Sequence, residues 1–329
     1  MASRLGLQGK SFGLAAEAYE DAVGGGMSKD SLRRVTVGTG QEMDAHRDQE
    51  VEEVYDLPET ERFVKADVST IEPIEAQANI STDGGMVLIR DEGWKEVKLA
   101  VISEVAQERE QLSDPSSRRA QDPCVRLHRH SYRVGLWNAD EMGQHQYLEG
   151  LRRGIDCCEQ LSSVNDGARW IARITDMNFP QAIQIVDWRH AENRLWNVAN
   201  TVFGERTSDT KHWVEIRLDH LWEGDTHTVV KALQQLNLEQ KDVLDEVRQT
   251  PEYFNTRQSK MDYALFRQIG FPIGSGSVES GINTVVHHRM KRPGRGWTRN
   301  NAQAMLAGLS ELHSGRFDLA WHSISSAPP

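Results

Sequence analysis

The chain has 329 residues, which at about 150 residues per domain predicts two domains and leaves room for a core without disulfides or metal staples. Hydrophobic residues at 38% and charged residues at 26% exclude a wholly disordered chain, and no stretch reaches the roughly 18 consecutive apolar residues of a membrane span. The net charge of −11, taken alone, argues against nucleic acid, whose binding is largely a phosphate-charge effect.

That charge is unevenly spread. Residues 41–62 hold nine acids and two bases, a net of −7, which leaves −4 for all the rest. The average therefore does not exclude a local basic surface. Cys124, Cys157 and Cys158 form no CxxC pair and are odd in number, which argues against a disulfide framework. Met1 to Lys10 lacks the apolar core of a signal peptide, so a soluble cytoplasmic protein is expected.

In chain order, residues 11–37 read as two short helices around the glycine turn Gly24–Gly26. Leu14, Ala15, Ala18 and Tyr19 have helical spacing, and Ser28 is a good N-cap for a second helix carrying Leu32 and Val35. This outlines a small helix-turn-helix-like element within residues 1–40, with Arg33 and Arg34 open to phosphates; an ordinary helical hairpin has the same pattern. An acidic connector, a solvated helix or linker, follows over 41–75. From residue 76 the pattern predicts strands near 78–83, 86–90 and 96–104, turning at Gly84-Gly85 and at Asp91–Gly93. Residues 106–133 read as a loop ending in the basic run RLHRHSYR, and 140–160 as helix. QLSSVNDG is a strand ending at Asp166 with a helix from Ala168, and AIQIVDW is a buried strand ending at Asp187. Residues 188–268 are mostly helical, broken near Gly204, Gly224 and Pro251. A turn-rich GFPIGSGS, a helix over 277–292 and a helix pair over 300–324 complete the chain.

Three acids stand out by context. Asp83 and Asp166 end predicted strands and precede glycines, and Glu279 lies in the first turn of a helix. Strand ends and helix starts project side chains into a shared crevice. Carboxylates from separate elements suit Mg²⁺ or Mn²⁺, and two such ions about 3.5–4 Å apart support phosphodiester chemistry. Each acid also has a plain structural reading: Asp-Gly turn, helix N-cap and helix-dipole partner. The order strand meander, strand-Asp, helix, strand, late helix-Glu matches an α/β, ribonuclease H-like mixed sheet with flanking helices.

The stretches STDGGMV with GWKEVKLAVI, VNDGARWI, IVDWRHAENRLW, PIGSGSVESGINTVVHHRMKRPGRGW and AQAMLAGLSELHSGRFDLAW carry a resemblance over much of residues 80–322. In this order they resemble the ISKra-type family of bacterial insertion-sequence transposases, a DDE group. The resemblance implies that Asp83, Asp166 and Glu279 are a metal-binding catalytic triad in a domain over 76–329. The intervals are 83 and 113 residues, and the second predicts a mostly helical insertion at about 190–268. The implied partners are double-stranded transposon ends and target DNA, with the protein a homodimer or higher oligomer on DNA, nucleoid-associated and without a membrane. The implied reaction is metal-dependent end cleavage followed by strand transfer. The rivals are a nuclease of the same core without strand transfer and an inactive, domesticated DNA-binding protein.

Other positions take accessory roles. Asp187 and His190, in DWRH at a strand-to-helix junction, read either as an accessory site near the scissile phosphate or as helix capping and packing. Arg289, Lys291, Arg292, Arg295 and Arg299 place five bases within eleven residues just after Glu279, suited to backbone phosphates. Trp297 is placed to stack on an extruded base, or to pack. The resemblance departs at Asn283 and His287, where members commonly carry a basic residue. Members also usually have more sequence upstream of the helix-turn-helix, so a shortened N-terminus is expected.

Overall fold

A computed structural model describes residues 1–65, 73–108, 124–238, 243–292 and 296–326. The chain opens with helices α1 (Ala2–Gln8), α2 (Phe12–Val23), α3 (Lys29–Tyr55) and α4 (Glu59–Lys65). Ser11 and Ser28 cap α2 and α3 by accepting from the backbone N–H of Leu14 and Ser31, and α2 stops at Gly24 in the left-handed region. The second predicted helix is far longer than expected. It runs for 27 residues through the boundary expected at residue 40 and into the acidic stretch. The reason is its second face: Leu32, Val37, Met43, Val51 and Val54 are buried while the acids line the solvent side. Arg47, also buried, stacks on Trp137 and donates to the Val134 carbonyl and to Asp44.

Next come strands β1 (Gln77–Ile89), β2 (Gly93–Glu108) and β3 (Cys124–Gly135), helix α5 (Ala139–Arg152), β4 (Gln160–Asn165), α6 (Arg169–Asn178) and β5 (Ile183–Val186). They form an α/β fold, a five-stranded mixed sheet flanked by helices, in the order β3-β2-β1-β4-β5. The first three strands are antiparallel, and β4 and β5 run parallel to β1. Two expectations are corrected here. The turn expected at Gly84-Gly85 is absent: both glycines stay in the ladder, opposite Lys98 and Val97, and the reversal comes at Asp91 and Gly93, both with positive φ. The loop expected to reach residue 133 is instead strand from Cys124. Its pattern is obscured because two inward positions are the polar Ser131 and Arg133.

Arg133 is accommodated by a buried ionic network. It meets Glu149 of α5 at 3.0 Å and Glu311 at 3.1 Å, and Arg316 meets the same two acids at 2.6 and 2.9 Å. Burial works to raise both carboxyls, but the Arg316 and Arg133 guanidiniums outweigh it and hold them down at about 2.

Beyond β5 the chain is helical, as its composition predicts: α7 (Trp188–Phe203), α8 (Ser208–Trp222), α9 (Thr226–Gln234), α10 (Asp245–Arg248), α11 (Thr250–Asn255) and α12 (Tyr263–Gln268). Their apolar core, including Leu195, Val214, Phe254 and Tyr263, is continuous with Val164, Ile185 and Val186 of the sheet. The chain then returns through α13 (Gly276–Gly281), a π-helical turn over Ile282–His287, α14 (His288–Met290), α15 (Arg299–His313) and α16 (Phe317–Ser326). Val87, Ile89, Val97, Leu99 and Val101 pack on this last group, while Ala78, Ile80 and Ile102 pack on α5 and the end of α3. No helix among the described residues is long and apolar enough to cross a membrane.

Candidate active site

The strand pairing brings two of the three predicted acids together. β1 and β4 are parallel with Gln77 opposite Gln160 and Ile80 opposite Ser163, and the Thr82 N–H donates to Asn165 Oδ1 at 2.6 Å across the same 83-residue offset. Carried one residue further, that register sets Asp83 beside Asp166. Asp83 shares the odd-numbered face of β1 with Val87 and Ile89, the face covered by α13 and the π-helical turn.

Glycines set how closely that helical segment approaches. A Cβ on Gly85 would lie 2.9 Å from Ile282 Cγ2, and one on Gly281 would lie 3.0 Å from the Tyr132 ring. With hydrogen at both positions, α13 lies down on β1 and β2, and Glu279 in its first turn comes within 4.8 Å of Asp187 and His190. Asp83 feels the neighbouring charges. Burial raises its carboxyl above the ordinary range, and the negative charges of Asp166 and Glu279 push the same way, against the Gly84 N–H and His190.

Asp187 and His190 complete the cluster. Asp187 follows β5, is buried, and caps α7: its Oδ1 accepts from the Arg189 N–H at 3.3 Å and from the Ser275 N–H at 3.2 Å. The second of these bonds ties the loop leading into α13 to the end of β5. Its Oδ2 lies 2.6 Å from His190 Nδ1. Ligand-type atoms of Asp187, His190 and Glu279 lie within 4.8 Å of one another. Burial tends to raise Asp187, but the His190 hydrogen bond and charge, with the two backbone N–H groups, bring it below the usual carboxylate range. The Asp187 hydrogen bond raises His190 against desolvation, helped by the charges of Asp187, Asp166 and Asp83. With Nδ1 held by Asp187, His190 Nε2 is the imidazole atom left for a ligand.

The basic residues disperse. Arg289 is buried: its Nε donates to the Gly6 carbonyl, and its guanidinium lies over Phe12 and Trp297. It staples α1 to α14 and is not open to phosphate. Trp297 is committed to packing: its indole N–H donates to the Met290 carbonyl, and its backbone bridges Ile89. Arg299 is exposed in a bidentate pair with Glu92. Lys291 is exposed beside Trp94, and Arg292 donates to the His288 carbonyl. Arg295 lies outside the described residues. Arg33 and Arg34 are exposed on the first turns of α3, near Asp30 and Ser31. Asn283 and His287 hydrogen-bond each other at 3.2 Å.

Two residues at the site carry no sequence signal. The Tyr253 hydroxyl donates to the Asp166 carbonyl at 2.7 Å, and Arg257 Nε donates to the Gly167 carbonyl at 2.9 Å. The helical stretch thus clamps the turn that carries Asp166, 87 and 90 residues away in sequence. Comparison with protein-family models and with curated proteins finds no match to this chain.

Proposed function

We propose that this chain is a DDE-type transposase with a ribonuclease H-like core, which cleaves DNA at transposon ends and joins the freed 3′-hydroxyls to target DNA. The observation that carries the reading is the β1–β4 register, which sets Asp83 beside Asp166 on a sheet ordered β3-β2-β1-β4-β5, with Glu279 of α13 held in a cluster with Asp187 and His190 at the end of β5. The donor set fits hard divalent cations. Carboxylate oxygens come from three separate elements, and a cation would offset the burial and like charges that raise Asp83. Asp83, Asp166 and Glu279 would hold Mg²⁺ or Mn²⁺, two ions in all. When bound, these ions lower the pKa of an attacking water or hydroxyl and neutralise the leaving oxygen.

The chain's own residues do the rest. The β1–β4 register fixes the spacing of the two aspartates, and Asp187 holds both His190 and the entry to α13. His190, whose pKa Asp187 raises, presents Nε2 as a donor to a phosphate oxygen when protonated. Lys291 is an exposed cation for flanking backbone. Pairing two DNA ends calls for at least a dimer in action.

The test is cleavage and joining of labelled end DNA in Mg²⁺ or Mn²⁺, comparing the protein with Asp83→Asn, Asp166→Asn and Glu279→Gln. Loss of both steps in all three variants is expected. Unchanged cleavage in the variants overturns the triad. Cleavage without joining by the unaltered chain makes it a nuclease. DNA binding without cleavage makes it a domesticated binding protein.

A further inference from the structure

We propose that the groove between the β4–α6 turn and α11 binds a DNA backbone phosphate neighbouring the scissile one, through Arg169, Arg194 and Arg257. This rests on the DNA-cleaving reading and assigns it a second binding surface, on the helical stretch between β5 and α13.

The groove has a volume of about 570 Å³ and begins at Asp166 itself. A chain lying in it passes directly from the acids onto α11. Three guanidiniums line it against one acid of the helical stretch, Glu252. Arg169 is exposed and has no hydrogen-bond or ion-pair partner among the described residues. Arg194 makes a loose ion pair, 3.6 Å, with the exposed Glu246 and lies over the Tyr253 ring. Arg257 uses Nε and Nη1 on the Gly167 and Tyr253 carbonyls. The Tyr253 ring has Arg194 at 4.0 Å and Arg257 at 4.3 Å, so two of the cations are held in place rather than free to swing.

Crowding like charges in this way is unfavourable. Burial lowers the Arg257 pKa, and the charges of Arg169 and Arg194 act the same way, against Tyr253 and Asp166. An anion removes that repulsion. The start of α6 opens on the same groove with no acid in its first turn; Asp166 Oδ1 accepts from the Ala168 N–H at 2.8 Å, and the amides of the helix beyond it add to the positive field. At about 570 Å³ the space exceeds one phosphate group, which favours a sugar–phosphate chain over a small free anion.

The experiment measures binding of a fluorescent DNA duplex to the full chain by anisotropy. It is run across a salt series in Ca²⁺, which supports binding without turnover. The variants are Arg169→Ala, whose exposure leaves the fold intact, and Arg169→Ala with Arg194→Gln. Lys211→Ala, exposed and paired with Glu215 on α8, is the control. The slope of log affinity against log salt is expected to fall by about 0.9 for each phosphate that the variant no longer neutralises. It should stay unchanged in the control. DNA binding by the unaltered chain with the same slope in the double variant overturns the groove and leaves the proposed function standing. Active-site variants that cleave normally, beside an altered groove slope, overturn the reading of the acids and leave the groove. Failure of the unaltered chain to bind DNA overturns both.

Discussion

Gly85 is the position where one added carbon tests how the acids are brought together. In Gly85→Ala the new Cβ would sit 2.9 Å from Ile282 Cγ2 and 3.2 Å from Ile282 Cδ1. Carbon atoms are comfortable at about 3.5–4.0 Å. The helical segment carrying Glu279 must therefore withdraw from β1 by roughly 0.6–1 Å, since Ile282 is branched and buried and has little room to turn away. A displacement near 1 Å at a reacting centre is worth on the order of 100-fold in rate. Overpacking of this size costs about 1–3 kcal/mol in stability, so the fold survives. The neighbouring glycine is the control. A Cβ on Gly84 would meet Glu96 Oε1 at 2.4 Å, but that is the tip of a side chain 49% exposed, which swings aside. Single-turnover DNA cleavage, Mn²⁺ binding by titration calorimetry and a thermal melt would be measured on both variants. Gly85→Ala should lose on the order of 100-fold in cleavage and bind Mn²⁺ more weakly, while Gly84→Ala stays close to the unaltered chain. Cleavage by Gly85→Ala within about threefold of the parent, or an equal loss in both variants, refutes the reasoning, because the helix would then not set the rate through its distance from the sheet.

Glu149→Gln removes the acid shared by Arg133 and Arg316 and leaves two buried cations facing Glu311, so unfolding free energy from denaturant titration should fall by about 3–5 kcal/mol. A loss under about 1 kcal/mol would show that the network is dispensable. The same network fixes an acid limit. Glu149 and Glu311 are lowered from 4.5 to about 2, so their contribution is complete above the unfolded value and is lost as pH falls through the folded one. Melts should decline between about pH 4.5 and pH 2, and a flat profile there would contradict it. For Asp187→Asn, the His190 pKa measured by NMR in metal-free protein should drop, since the group that raises it most is gone. In the parent, the His190 contribution is present below its unfolded value and disappears as pH rises through the raised one. The Asp187 contribution is present above its own unfolded value and disappears as pH falls through the lowered one. An unmoved His190 titration would mean that Asp187 does not govern it.

Much of the site is legible in one dimension. Asp166 and Asp187 follow short apolar strands, and Glu279 follows a glycine-rich turn at a helix start, so their places at element ends can be read from composition and spacing. Asp83 is picked out by its glycines but in the wrong setting, because Gly-Gly signals a turn whether its use is a reversal or a close approach. Arg289 and Trp297 escape a one-dimensional reading because a run of bases looks alike whether it is solvated or pinned beneath α1. The partners that bury Arg289 lie 283 residues away at Gly6 and in Phe12.

Elements and their chemistry follow from local sequence: the helical caps, the apolar strands of the sheet, the acids at their ends, and the charge gathered on one face of α3. Short-range rules suffice for these, since caps, alternation and turns are settled among residues a few positions apart. Which of them meet is a matter of long-range packing. The strand order set Asp83 beside Asp166, hydrogen at Gly85 let α13 settle on the sheet, and the net charge of −11 separated into a solvated acidic helix and a groove of arginines. Those outcomes depend on contacts between residues about 80 to 280 positions apart, where no periodicity reaches and packing alone selects the partner.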